Sequence, residues 1–368
     1  MNENFSSNID LSKKAIDQWN TYTTEEKDFW RKYFHLRPID LQKILSFPPY
    51  THAYRYTLDD EDVAKVVFCA VVEIVRYNFA NGMKRAFFGN SGGLDSATTC
   101  ALLAKAVQVS HDIGHPFDVV AYGMPIKSNP EHHDRAEETA KTFGIQYIRI
   151  TDLDSVLDAF HTVLNPLVDQ FCFSEEEQRR GFGNVKARIR MIVNFFGTTQ
   201  PGSYVVSTDN LSELYMAFWT LMGDVGGFAP IQNIFKGLEL PSIAYALGVP
   251  DETLGAKPTD GLEVHISLDE REGGDADAFG GIQYPHLDAI ICHATKAGLD
   301  LAKLVPVRID ADLIASDLAT QERVDSIIAT MVSPGSVWKR LRGSIGTSIS
   351  RDELGLISIE KIGFHLTP

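Results

Sequence analysis

Cysteine is scarce in this chain, and no two cysteines lie close together. Cys69, Cys100, Cys172 and Cys292 are the only four in 368 residues. No Cys-x-x-Cys pair signals a zinc knuckle or a redox couple. No apolar run reaches the roughly 20 residues that a bilayer-spanning helix needs. No basic n-region followed by an apolar h-region marks an export signal. With free thiols, these features predict a cytoplasmic protein in a reducing compartment, without membrane partners. Positive charge is also in deficit, with 34 Lys and Arg against 49 Asp and Glu, a formal charge of −15. A nucleic-acid binder needs a basic stripe to displace phosphate counterions, so nucleic acid is not an expected partner. A local basic pocket for a small anion remains compatible with that balance. Repeats, low-complexity tracts and the Gly-Lys-Ser/Thr ending of a Walker loop are missing as well. The length allows one large or two modest domains.

What is present is concentrated in Phe87-Phe88-Gly89-Asn90-Ser91-Gly92-Gly93-Leu94-Asp95-Ser96. An apolar strand-like run meets a Ser-Gly-Gly-x-Asp-Ser turn, and the helix-forming stretch Ala97–Val107 follows at once. Such a turn offers unpaired backbone N–H groups and the positive end of a helix dipole to an anion. Gly92 and Gly93 admit phosphate oxygens without a Cβ in the way. Ser91 and Ser96 add hydroxyl donors. Asp95 would repel bound phosphate unless a Mg²⁺ lay between them, an ion that favours one or two carboxylates plus phosphate oxygens.

The rest of the chain reads as strands alternating with helices. A helix runs from Asp59 through Val75 at helical spacing. Strands are expected at Arg85–Gly89, Val119–Gly123, Ile145–Ile150 and Ser203–Ser207, with helix at 135–143 and over most of 175–197. This pattern predicts an α/β protein, a parallel sheet with helices on both faces, with ligands beyond the carboxyl ends of the strands. Residues 1–57 form an aromatic-rich extension with a capped amphipathic helix at Thr24-Glu25-Glu26 and a break at Phe47-Pro48-Pro49-Tyr50. That extension is expected to pack on the main body or on a partner subunit. The acidic, glycine-rich stretch 262–283 is expected to be a mobile loop and a candidate lid. The partition is therefore 1–57, 58–343 and 344–368, the last without an assigned role.

Further segments carry polar groups at strand ends. In Ser207-Thr208-Asp209-Asn210-Leu211-Ser212-Glu213, Glu213 is either a second Mg²⁺ ligand opposite Asp95 or half of a capping box. Thr220-Leu221-Met222-Gly223-Asp224-Val225-Gly226-Gly227-Phe228-Ala229-Pro230-Ile231 leads to Lys236, placed to meet a phosphate as a point charge. Lys257-Pro258-Thr259-Asp260-Gly261-Leu262 is a proline-fixed turn with a hydroxyl.

The Ser-Gly-Gly-x-Asp-Ser loop resembles that of the pyrophosphate-loop ATPases. Together with these segments and Gly183-Asn184-Val185-Lys186-Ala187-Arg188-Ile189-Arg190-Met191, it closely resembles the NAD synthetases from about Asp59 to about Gly343. The resemblance implies a Rossmann-like, doubly wound fold of the adenine-nucleotide α-hydrolase type. It implies that Gly89 to Ser96 bind ATP phosphates, that Met124 lies near adenine, and that Thr208, Lys236 and Thr259 contact ATP. It implies Mg²⁺ on Asp95 and Glu213, catalytic roles for Asp95 and Lys236, and substrate contacts from Arg190, Asp224 and Lys339. The implied reaction joins ammonia to deamido-NAD through an acyl-adenylate, releasing pyrophosphate and AMP. A homodimer with deamido-NAD at the subunit interface is implied too.

The sequence departs from the ammonia-using bacterial enzymes at Leu221 and at Gly227 or Phe228, where they carry a lysine and an aspartate assigned to deamido-NAD. Its wording there is similar to the synthetase domain of glutamine-dependent NAD synthetases. The first 57 residues lack a Glu/Lys/Cys set for amide hydrolysis, so ammonia is expected from solution or from a separate amidase. Two rival readings stand beside this one. The first is a related ligase acting on another carboxylate, such as nicotinate mononucleotide; the second is a catalytically silent nucleotide-binding protein.

Overall fold

A computed structural model describes residues 9–51, 58–223, 226–259, 274–314, 316–342 and 347–362. Helices α1 (Ala15–Thr21), α2 (Thr24–Tyr33), α3 (Leu41–Leu45) and α4 (Asp60–Asn81) precede the first strand. Then come β1 (Arg85–Gly89), α5 (Leu94–Asp112), β2 (Asp118–Gly123), α6 (Pro130–Thr142) and β3 (Gln146–Arg149). They are followed by α7 (Leu153–Phe171), α8 (Glu175–Gly197), β4 (Ser203–Val205), α9 (Leu211–Met216) and β5 (Phe228–Ala229). The remainder holds α10 (Leu240–Leu247), α11 (Asp251–Leu254), α12 (Asp275–Ala278), α13 (Tyr284–Lys296), α14 (Gln321–Met331), α15 (Pro334–Arg342) and β6 (Thr347–Ser348).

The main sheet is parallel with order β3-β2-β1-β4. Chain order reverses between β1 and β4, and a crevice opens there beyond their carboxyl ends. The middle of β1 is buried on both faces, so it reads as a continuous apolar run rather than an alternating one. Ala86 and Phe88 enter the large core with α4, α5 and α10. Phe87 points the other way, stacks on Tyr122 at 5.5 Å, and lies under α8.

Of the N-terminal aromatics among the described residues, Trp19, Trp30, Phe34, Phe47 and Tyr50 belong to the same large core. Trp19 and Trp30 meet Phe68 of α4 with ring centroids 5.3 and 4.9 Å apart. Helix α2, which carries Trp30, starts at a capping box of Thr23 and Glu26, one residue earlier than the sequence pattern suggests. The C-terminal stretch is built in as well. Val206 bridges Phe228, β5 pairs with β6, and Ile349, Leu354 and Leu356 are buried in the large core. A second core, under α9, α13 and α14, supports the other side of the crevice.

Candidate active site

The turn after β1 is wired internally. Asn90 donates its side-chain amide to the Ala136 carbonyl at 2.8 Å and accepts from the Ser96 hydroxyl at 3.1 Å. Its Oδ1 also takes the Gly92 N–H at 3.2 Å, and the Ser91 N–H donates to Ser96 Oγ at 3.2 Å. Gly92 holds φ +77, and a Cβ there would fall 2.0 Å from the His132 carbonyl oxygen, so only glycine fits. The turn delivers Gly93 to the N-cap of α5, which has no side-chain cap. The first-turn N–H groups of a 19-residue helix therefore face the crevice with the dipole behind them.

The opposite wall gathers residues from distant parts of the chain. Lys236 Nζ lies 2.9 Å from Asp95 Oδ2, 3.1 Å from Glu213 Oε1 and 3.6 Å from Asp275 Oδ2. It sits 4.4 Å from the ring centre of Tyr284, whose hydroxyl donates to Asp275 at 2.9 Å. Burial works against the Lys236 ammonium, but Asp95, Tyr284, Glu213 and Asp275 outweigh it and hold its pKa well above the ordinary value. Burial pushes the Glu213 carboxyl up to about 8; Asp95 and Asp275 add to the rise while Lys236 opposes it.

Asn210 provides the cap expected at this helix start, through the Glu213 backbone and without a reciprocal bond from the Glu213 side chain. Its Oδ1 caps α9 by accepting the Glu213 N–H at 3.0 Å, and its amide donates to Asp95 Oδ1 at 2.9 Å. The Glu213 side chain is thereby free to reach Lys236. Beneath this wall, buried Asp288 accepts the Ser212 hydroxyl at 2.5 Å and the N–H groups of Gly237 and Leu238 at 2.7 and 3.1 Å. Burial raises its carboxyl to about 8 against those donors.

The two walls enclose a cleft of about 640 Å³, a size suited to a small-molecule ligand. From the turn, Gly89, Asn90, Ser91, Gly93, Leu94 and Asp95 line it. Met124, Arg190, Thr208, Glu213, Lys236, Thr259 and Lys339 line the rest. Gly92 and Ser96 instead brace the turn from below. Arg190 donates to the Met124 carbonyl at 3.2 Å and to the Ser128 hydroxyl at 3.3 Å. Lys339 donates to the Ala217 carbonyl at 2.7 Å and lies 5.1 Å from the Trp219 ring centre. Asp224 lies outside the described residues. Phe228 belongs to the core, its ring 4.4 Å from Tyr77. Arg135, Arg180 and Lys257 also line the cleft, so an acidic chain carries a locally basic pocket.

The donor set suits Mg²⁺. Asp95 and Glu213 each turn an oxygen toward one cationic point, held here by the Lys236 ammonium. Partly buried acidic groups so arranged call for positive charge, and Mg²⁺ needs only one or two of them beside phosphate oxygens. Among the described residues no group of three His, Cys, Asp or Glu is placed to hold a metal.

Part of the stretch expected to be a mobile lid is in the wall itself. Residues 260–273 lie outside the described residues, but Asp275 on α12 is buried against Lys236. Asp275 and Tyr284 had no signal that separated them from a solvated acidic run and a core aromatic. Asn210 was visible in the motif, as a cap.

The fold and turn define a pyrophosphate-loop nucleotide-binding α/β protein. Residues 68–311 match the family model described as NAD synthase. The chain is 28% identical over 276 residues to the NH(3)-dependent NAD(+) synthetase of Pyrococcus furiosus, covering 75% of this chain and 92% of that one. It shares its fold with a glutamine-dependent NAD(+) synthetase from Cytophaga hutchinsonii (TM-score 0.58, 16% identity, 78% of this chain, 51% of that one). It shares it also with NMN synthetase from Francisella tularensis (TM-score 0.53, 22% identity, 75% of this chain, 94% of that one). This chain belongs to the NAD synthase family.

Proposed function

We propose that this protein is an ammonia-dependent NAD synthetase, which amidates deamido-NAD at the cost of ATP and releases AMP and pyrophosphate. The observation that carries the reading is the cleft itself. An uncapped helix N-terminus behind a glycine turn, with Asp95 in its first turn, faces Lys236 and Glu213 across the β1/β4 crevice. That arrangement suits a triphosphate, and the family supplies the acid and the amine.

A carboxylate is a poor electrophile at neutral pH. Attack of its oxygen on the α-phosphorus gives an acyl-adenylate and expels pyrophosphate; ammonia then displaces AMP and leaves the amide. The turn N–H groups and Lys236 hold the β and γ phosphates, so catalysis rests on positioning and charge neutralisation. Mg²⁺ on Asp95 and Glu213 would neutralise further phosphate charge. Met124, Thr208 and Thr259 border the nucleotide, while Arg190, Asp224 and Lys339 serve the acid substrate.

Further parts of the reading are a homodimer and a cytoplasmic location. The dimer is supported by an apolar stripe on α7, Val156, Phe160, Val163, Leu167 and Phe171, joined by Ile192, Phe195 and Phe196 of α8. Phe196 is 81% exposed and Val163 69%, more apolar exposure than a monomer usually tolerates. Sedimentation is expected to give a dimer, and Phe196→Asp to shift it toward monomer; an unchanged parent-like dimer in the variant would remove this face from the interface. Four free cysteines suit a reducing cytoplasm. Ammonia arrives from solution or from a separate amidase.

The test is incubation with ATP, Mg²⁺, ammonium and deamido-NAD, with mass detection of NAD and AMP. Nicotinate mononucleotide in a parallel reaction separates the NMN synthetase activity. Amidation of the mononucleotide alone would overturn the substrate assignment.

A further inference from the structure

Lys236 rides on residues 233–239, and this segment is gripped from behind by one arginine of the C-terminal stretch. The Arg351 guanidinium donates to the Asn233 carbonyl at 2.9 Å and forks onto Glu239, at 2.9 Å to Oε2 and 2.6 Å to Oε1. It also donates to the Ile357 carbonyl at 3.1 and 2.9 Å, which ties its own chain into the grip. Its Cζ lies 5.3 Å from the centre of the Phe235 ring. Glu239 is fully buried, and its Oε2 takes the Phe235 N–H at 2.9 Å. The Asn233 amide donates to the Ile349 carbonyl at 2.8 Å. From the other side Asp288 holds Gly237 and Leu238, and the Ser212 hydroxyl accepts the Lys236 N–H at 3.0 Å.

The backbone under Lys236 is therefore clamped between two buried carboxylates, and the outer one is ion-paired to Arg351. Arg351 lies beyond residues 68–311, the part that matches the family. We infer that Arg351 is a positioning residue: its fork on Glu239 and Asn233 fixes the backbone from which Lys236 reaches the phosphate side of the cleft, and so sets affinity for ATP. A lysine could neutralise Glu239 but could not make the planar fork.

The inference rests on the ATP-site reading above, and its test keeps the two apart. Arg351→Ala is a poor probe because it strands a buried Glu239. Two better ones are Arg351→Lys, which keeps the charge, and the pair Arg351→Met with Glu239→Gln, which removes both charges together. Calorimetry with ATP and Mg²⁺ gives Kd and site number; melting reports the fold; pyrophosphate release gives kcat and the KM values for ATP and ammonium. Both variants are expected to bind ATP about tenfold more weakly at full site number, with kcat lowered by about tenfold and KM for ammonium unchanged. Kd within about twofold of the parent per folded site, with or without a lowered melting point, would make Arg351 a mere strut and overturn the inference. A parent that binds ATP yet makes no NAD would overturn the substrate reading while Kd still reads the positioning claim.

Discussion

One wall of the cleft comes from consecutive residues, Gly89 to Ser96, whereas the other draws Glu213, Lys236, Asp275 and Tyr284 together from far apart. The first is held by hydrogen bonds among its own members and the neighbouring helix α6. The second is held by electrostatic attraction, since one ammonium draws three acidic side chains to it. A local turn fails by steric insult at one position. A charge cluster fails by removal of its cation, because the acidic groups around it lose their compensation.

The largest effect is expected where the walls meet. Asp95→Ala should lower turnover at least about a hundredfold, as loss of a single electrostatic group commonly does. Pyrophosphate release measures this, and near-parental turnover would remove Asp95 from the chemistry. Lys236→Met takes the cation from the distant wall and should cost about a hundredfold in kcat/KM. It should also lower the melting temperature, and Mg²⁺ alone should raise melting more in this variant than in the parent. Absence of any Mg²⁺-dependent rise would contradict the fit of the carboxylate pair to the ion.

Gly92→Ala strikes the local wall only. Its strained φ and the blocked approach to His132 should cost about 1–3 kcal/mol in urea unfolding. ATP affinity should fall with it; a variant as stable as the parent would show that the turn does not need glycine. The smallest effect concerns pH. Burial, with Arg149 and Arg190 nearby, lowers the His133 imidazole to about 4 from its usual 6.5. The unfolded chain binds this proton more readily than the folded one, so stability is whole above pH 6.5 and declines as pH falls toward 4. Unfolding at pH 7 and pH 5 should show a smaller decline for His133→Asn than for the parent. An equal decline would assign the acid sensitivity to other groups.

The same contrast explains what could be read from the sequence. β1 and its turn were legible because strand, glycines and helix start are adjacent, and adjacency survives in one dimension. Glu213 and Lys236 were legible by motif. Within the turn, the sequence could not say that Ser96 and Gly92 brace it while Ser91 and Gly93 line the cleft, since that depends on which way hydrogen bonds run. Asp275 hid in a run whose composition reads as solvated loop, although its carboxylate is buried beside an ammonium. Arg351 hid in a tail whose partner, Glu239, lies over a hundred residues away. The parallel sheet followed from the alternation of strand and helix, but the pairing of Val206 with Phe228 and of β5 with β6 did not, because those strands are too short to leave a periodic trace.

The account turns on whether both walls close on one nucleotide. A crystal structure with a non-hydrolysable ATP analogue and Mg²⁺ tests this directly. The predicted result has the phosphates against the Ser91–Ser96 turn, with the metal between Asp95 and Glu213 and the Lys236 ammonium moved from between the carboxylates onto phosphate oxygen. A nucleotide bound elsewhere, with Lys236 still locked between Asp95 and Glu213, would contradict it.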